Sequence, residues 1–382
     1  MIKKNKCVIC NTTNFRNYFS SSLSLTSDRR LVYRNSDVGY CYNCKLILNS
    51  TGCRKSKSKF YHEEYNLLGK KADDEFRIYS KSNSGTESEI MSKYFFQNTR
   101  IRKKADVLEI GAGKGLFLRH LKRLLPKLNY HALEPSKNAA KYFRKNLPSI
   151  SFDNKPLEKS KFKKKKFDII VSTGVIEHVN SPNAFMKSMS KMLKNDGIVF
   201  LCMPNFESKV DDLIVFDHLS KITKNSINFL LYANNFKIIK QNISKKRIWI
   251  WNILKKNKKK IKKKFANNDL KILKSNINKF KKMEEDFINY YKNNKKLNFY
   301  GLGNSGFYFY FKYFNKIKKK INFIILDNSS LNGSKFFGVK IISRNQIKQY
   351  KLDNIYISAN PCYHALMRKK LINSNFTGQI YS

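Results

Sequence analysis

The chain has 382 residues, and its 77 lysines and arginines against 27 aspartates and glutamates give a formal net charge of +50. That length allows two or three domains. No continuous apolar stretch reaches the roughly 20 residues of a membrane-spanning helix, and the first residues, Met1-Ile2-Lys3-Lys4, lack the apolar core of a secretion signal, so the sequence predicts a cytoplasmic protein.

The charge has two readings. RNA, an anionic membrane surface or a nucleotide-linked substrate would each be drawn by such a field. The excess is mostly lysine, however, and it is spread along the whole chain with abundant asparagine and isoleucine. An AT-rich coding sequence writes that pattern, which favours composition over one binding stripe.

Cys7-x-x-Cys10 and Cys41-x-x-Cys44 form two knuckle-like pairs near the amino terminus. Four thiolates at such spacing suit tetrahedral zinc, and a closed four-sulfur site is structural rather than catalytic. Disulfides are not expected in a reducing cytosol. Cys53, Cys202 and Cys362 have no partner by spacing and read as small buried residues. Between the two pairs lies Leu25-Thr26-Ser27-Asp28, and after them comes Phe60-Tyr61-His62-Glu63-Glu64-Tyr65.

Val107 to Ile110 is a short apolar run with one acid, as in a buried parallel strand. Gly111, Gly113 and Gly115 follow, then Leu116-Phe117-Leu118-Arg119-His120-Leu121 with helical spacing. Glycines there permit positive φ and close approach of a ligand to the backbone. Ligands of open α/β sheets sit beyond the carboxyl ends of the strands, where this loop lies. A second strand ends at Glu134, about 20 residues after the glycines, where an acid can accept hydrogen bonds from a ribose diol. The dinucleotide fingerprint is Gly-x-Gly-x-x-Gly, whereas the spacing here is Gly-x-Gly-x-Gly. Phe167-Asp-Ile-Ile-Val-Ser-Thr-Gly-Val-Ile-Glu-His-Val179 and Gly197-Ile-Val-Phe-Leu-Cys-Met-Pro-Asn205 complete the series.

Taken in this order, the four segments resemble the S-adenosylmethionine (SAM) domain of class I methyltransferases. The resemblance implies SAM held by Gly111, Gly113, Gly115, Glu134 and Glu109, the acid that the family places just before the glycines. With the cysteine pairs and Thr26-Ser27-Asp28, the whole chain is similar to the zinc-binding C-methyltransferase family, whose members act on nucleotide-linked 4-keto sugars. That implies an amino-terminal zinc-binding domain, a central Rossmann-like SAM domain and a smaller carboxy-terminal Rossmann-like α/β domain. The expected division is 1–58, 59–245, a basic helical linker 246–296, and 297–382.

The resemblance also implies the chemistry. His218 would be the general base with Asp217 its acidic neighbour, aspartate standing where the family usually has glutamate. Removing a proton beside a ketone gives an enolate that attacks the methyl group, a task that suits histidine. His178, after the fourth strand, would face the substrate, although Glu-His at this point also occurs in unrelated methyltransferases and a structural role stays open. Tyr65 matches a lid tyrosine of the family; the second lid tyrosine is replaced by Leu68, and Tyr61 reads as packing. The expected partner is a small molecule, a nucleotide-linked sugar or a related envelope precursor. RNA methylation and O- or N-methylation of another small molecule remain the alternatives.

The run Lys255–Phe265 reads as a solvated basic segment, and the apolar spacing after Leu270 as a helix. From Leu297 a second α/β unit begins. Its Gly301-Leu-Gly-Asn-Ser-Gly306 is a true Gly-x-Gly-x-x-Gly, and Asp327 ends the next strand. The unit is half the size of a dinucleotide domain. The resemblance makes it a wall over the substrate site without a cofactor of its own.

Overall fold

The computed structural model describes residues 6–7, 9–10, 12–51, 60–64, 77–79, 84–243, 248–257, 268–327 and 331–382. At its centre is a seven-stranded mixed sheet. Asp106–Ile110, Asn129–Leu133, Ser151–Asp153, Phe167–Thr173 and Leu193–Pro204 run parallel, and Trp249–Lys256 pairs antiparallel with both Leu193–Pro204 and Phe236–Asn242. Numbered along the chain, the strands lie in the order third, second, first, fourth, fifth, seventh, sixth. The order reverses direction beside the first strand, at Asp106–Ile110, which puts a binding crevice at its carboxyl end.

The apolar runs of these strands are explained by burial on both faces. Val107, Ile169, Val171 and Phe200 enter one core, while Leu108, Ile110, Ile170, Val199 and Leu201 enter the other. Alternate side chains of a strand point to opposite faces, so a doubly covered strand needs apolar residues at nearly every position. The covering helices start at side-chain caps. Ser136 Oγ accepts from the Ala139 amide, Ser181 Oγ from Ala184, and Thr223 forms a reciprocal box with Ser226.

A four-stranded antiparallel sheet precedes the central one. Phe15–Ser21, Ser36–Cys41 and Ile47–Asn49 are joined by Ser220–Lys221, a strand contributed from beyond the fifth central strand. A six-stranded sheet follows, with Leu297–Tyr300, Ile321–Leu326, Val339–Ser343, Asn354–Ile357 and Gln379–Tyr381 parallel and Lys335–Phe336 antiparallel at one edge.

The helix Asp269–Asn293 packs against both the first and the last sheet. Leu273, Ile277, Phe280, Met283, Phe287 and Tyr290 recur every three or four residues and are buried. They share one core with Val38 and Tyr40 of the first sheet, Phe206 and Leu213, Phe299 of the last sheet, and Tyr308 and Phe309 of the helix Asn304–Lys312. At about 1.5–3 kcal/mol for each fully buried side chain, this stripe contributes on the order of 10 kcal/mol. Trp249–Lys256, read from the sequence as part of a basic linker, is instead an interior strand of the central sheet, because five of its residues are buried. Most of the basic run, residues 258–265, lies outside the described residues. Among the described residues, no helix is long and apolar enough to cross a membrane.

Candidate active site

The loop after the first central strand is shaped by its glycines. Gly111, Gly113 and Gly115 have φ of +73°, +52° and +68°. The Gly111 and Ala112 amides donate to the Leu133 carbonyl at 2.8 and 2.9 Å, folding the loop against the neighbouring strand. A Cβ at Gly111 would stand 2.3 Å from Val175 Cγ2, so neither the conformation nor the space admits a side chain.

Glu134 closes this cradle. Its Oε2 accepts from the Gly113 amide at 2.9 Å and its Oε1 from the Ser136 amide at 2.8 Å. Those two bonds fix the carboxyl plane and leave further lone pairs for a ligand. Burial raises its pKa against the pull of these donors. Glu109 is almost fully buried beneath the loop, its Oε2 has no hydrogen-bond partner among the described residues, and burial pushes its pKa well above the carboxylate range. Two acids around a loop that excludes side chains fit a ligand that brings positive charge and hydroxyl donors, as SAM does.

A second cluster lies past the fourth strand. Glu177 and His178 follow Gly174, and the turn Val210–Ile214 leads to Asp217 and His218. His218 Nδ1 donates to Asp212 Oδ1 at 2.5 Å. Burial alone would raise the pKa of Asp212, but His218, Lys221 and Lys209 together hold it below the ordinary carboxylate range. Lys221 is fully buried and donates to the Asp212 and Val215 carbonyls; burial lowers its pKa to about 8.

Asp217 does not pair with His218, contrary to the expectation from sequence. It accepts from Ser27, at 2.7 Å from the amide and 2.5 Å from Oγ, and from the Tyr61 hydroxyl at 3.1 Å. Burial opposes ionisation there, yet His178, His218 and the Ser27 donors lower its pKa. The reason is local. The Leu25–Leu31 hairpin delivers Ser27 to Asp217, and the Val210–Ile214 turn brings Asp212 to His218.

His178 Nδ1 lies 2.7 Å from the Tyr61 hydroxyl and 3.0 Å from the Asp217 carbonyl, and its ring meets that of His218 edge-on at 4.7 Å. Tyr61, read as packing, thus has its hydroxyl inside the cluster. Tyr65 lies outside the described residues. Asp212, Glu177 and Ser27 had no assigned role in the sequence reading. Only Asp212 carried a usable signal, an unexplained acid close before the histidine.

At the amino terminus, Cys7, Cys10, Cys41 and Cys44 converge. Cys7 and Cys44 Sγ are 3.7 Å apart, Cys10 and Cys41 Sγ 3.6 Å, and all four sulfurs lie within 4.8 Å of one another. Tetrahedral zinc with bonds of about 2.3 Å sets its sulfurs about 3.8 Å apart, so the donor set fits that ion.

In the carboxy-terminal sheet, the last glycine of the Gly301–Gly306 loop serves packing, since a Cβ at Gly306 would meet the Ser358 carbonyl at 2.2 Å. Asp327 accepts from Tyr300, Arg344 and Lys370 at 2.7, 2.8 and 2.5 Å. The acid that a dinucleotide ribose would use is therefore already engaged.

The family model described as a methyltransferase domain matches residues 86–241, which span the glycine loop, Glu134 and the histidine cluster. The central part of this chain thus matches a methyltransferase domain. Two curated relatives are ubiquinone biosynthesis O-methyltransferases. The one from Pelagibacter ubique (strain HTCC1062) is 34% identical over 105 residues, 27% of this chain and 43% of that protein. The one from Bartonella tribocorum (strain CIP 105476 / IBS 506) is 33% identical over 101 residues, 26% and 41% of the two chains. The match spans less than half the length of either relative. Among solved structures, an S-adenosylmethionine-dependent methyltransferase from Clostridium acetobutylicum ATCC 824 aligns with 44% of this chain and 90% of its own, at 13% identity and a TM-score of 0.37.

Proposed function

We propose that the protein transfers a methyl group from SAM to a small-molecule acceptor whose proton is taken by His218. The observation that carries this reading is the buried His218–Asp212 pair within the domain that also holds the Gly111–Gly115 cradle. SAM, when bound, supplies an electrophilic methyl on a sulfonium. Glu109, Glu134 and the glycine loop hold it. Asp212 fixes the His218 ring through Nδ1, which directs Nε2 to the acceptor proton and stabilises the imidazolium that results. Tyr61, Asp217 and Ser27 orient His178 beside it. Asp212, Asp217, His178 and His218 are all buried, and exclusion of water strengthens each of these contacts.

Two acceptors have support. The resemblance of the whole chain, cysteine cluster included, favours carbon methylation of a nucleotide-linked 4-keto sugar, with structural zinc at Cys7, Cys10, Cys41 and Cys44. The names of the curated relatives favour a hydroxyl oxygen instead, and the same histidine serves either proton. The three-part division proposed from sequence accompanies the first reading. RNA methylation has no comparable support, since the basic residues are dispersed.

The test is methyl-labelled SAM offered with a pool of nucleotide-linked 4-keto sugars and, separately, with phenolic small molecules, the label then being traced by mass spectrometry. Label on a sugar carbon or on a hydroxyl oxygen chooses between the acceptors. His218→Ala is expected to abolish either transfer while SAM binding persists. Unchanged turnover in that variant removes His218 from the mechanism.

A further inference from the structure

We infer that Glu177, His178 and His218 form a binding site for one divalent transition cation, distinct from the cysteine cluster. All three residues are buried. Each offers one ligand atom, and these atoms lie within 4.8 Å of one another, with His178 Nε2 and Glu177 Oε1 at 4.0 Å. A cation with bonds of about 2.0–2.2 Å to nitrogen and oxygen holds its ligands about 3–4 Å apart, so small rotamer changes close the set.

Two further observations support the site. The Nδ1 atoms are anchored, that of His218 by Asp212 and that of His178 by the Tyr61 hydroxyl and the Asp217 carbonyl. Outer partners of this kind fix the ring orientation of metal-bound histidines and raise their basicity. Glu177 Oε2, in turn, is buried with no hydrogen-bond partner among the described residues. An orphaned acid oxygen beside two anchored imidazoles is accounted for by a cation, and two imidazoles with one carboxylate suit zinc, iron(II) or manganese rather than calcium.

The site has a consequence for catalysis. A cation on His218 takes the lone pair that the proposed function assigns to the acceptor proton, so protein with both sites filled is silent and protein with metal in the cysteine cluster alone is active. This consequence rests on His218 being the base; the site itself does not.

The experiment loads the full-length protein with excess Zn2+, removes unbound metal by desalting and counts zinc by mass spectrometry. Two equivalents per chain are expected for the wild type, and one for Glu177→Gln and for His218→Gln. Cys41→Ser loses the other equivalent and keeps this one. Cobalt-loaded wild type serves as a check that needs no variant, showing bands of a nitrogen–oxygen ligand set beside thiolate charge transfer. One equivalent in the wild type, or two in His218→Gln, overturns the inference. Turnover is measured separately on protein whose cysteine cluster is loaded and whose histidine site has been emptied by a mild chelator. Two equivalents without turnover by any acceptor would sink the proposed function alone, and one equivalent with turnover would sink the metal site alone.

Discussion

Asp269 gives a prediction whose size follows from the structure. It opens the helix Asp269–Asn293, is fully buried, and its Oδ1 accepts from the Thr223 hydroxyl at 2.8 Å. Burial raises its pKa from an ordinary value of 3.8 to about 6, against the pull of Thr223 and Asn225. A carboxyl whose folded pKa is raised binds more protons when folded, so the protein loses stability as pH rises from about 4 to about 6 and does not regain it above. A shift of about two pH units corresponds to about 3 kcal/mol. Asp269→Asn keeps an acceptor for Thr223 and removes the ionisation. It also gives up a favourable charge at a helix amino terminus, worth about 0.3–1 kcal/mol. The variant is therefore expected to be more stable than the wild type by about 2 kcal/mol at pH 7.5 and about equal to it at about pH 3.5. Urea unfolding followed by circular dichroism at the two pH values measures the difference. A stability difference that does not change between them refutes the assignment of the raised pKa to this residue.

The other expectations concern the site. Glu134→Ala should weaken SAM binding about 10- to 100-fold by calorimetry, since a charged acceptor's hydrogen bonds contribute about 1.5–3 kcal/mol each. Asp212→Asn should lower turnover by about two to four orders of magnitude with SAM affinity unchanged, and should lower the melting temperature because buried Lys221 loses its counter-charge. Gly111→Ala should cost about 1–3 kcal/mol of stability and abolish SAM binding, given the positive φ and the 2.3 Å approach to Val175; SAM affinity within twofold of wild type would contradict the cradle. Cys41→Ser should speed amide exchange in the strand Ser220–Lys221 while leaving the exchange of Asp106–Ile110 as it was.

The glycine loop was legible because its requirement is local. A tight turn after a buried strand needs left-handed backbone, and Gly111 and Gly115 announce it in the letters themselves. Glu134 was legible for a similar reason, at a fixed interval on the neighbouring strand. The partner of His218 was not. Adjacency in sequence pointed to Asp217, but Asp212 arrives through the Val210–Ile214 turn, and Asp217 is drawn away by Ser27 from a hairpin 190 residues distant. No periodicity encodes such a contact. The strand Trp249–Lys256 was hidden by its charged end; its apolar middle, Ile250 to Leu254, alternates between two cores that only the assembled sheet defines. The helix Asp269–Asn293 was readable from its apolar spacing after Leu270, but spacing alone does not say which sheets the buried stripe meets.

The amino-terminal sheet has a physical tie to the chemistry of the central one. The Cys41 amide donates to Leu46, the adjoining Ile47–Leu48 pairs with Ser220–Lys221, and the next residue, Asn49, donates from its amide to Leu219 and from its side chain to the Phe216 carbonyl. Phe216 donates in turn to Leu25, beside the hairpin that supplies Ser27. The segment from Asp212 to Lys221, which carries both acids and His218, is thus held on one side by elements whose own geometry depends on the cysteine cluster. A buried dyad works only if its ring is fixed to within a fraction of an ångström, and loops rarely achieve that unaided. Pairing the loop into a second sheet supplies the rigidity. With His218 as the proposed base, the cysteine cluster would matter to turnover without touching any substrate, because it supports the pairing of Leu48 with Ser220 beside His218.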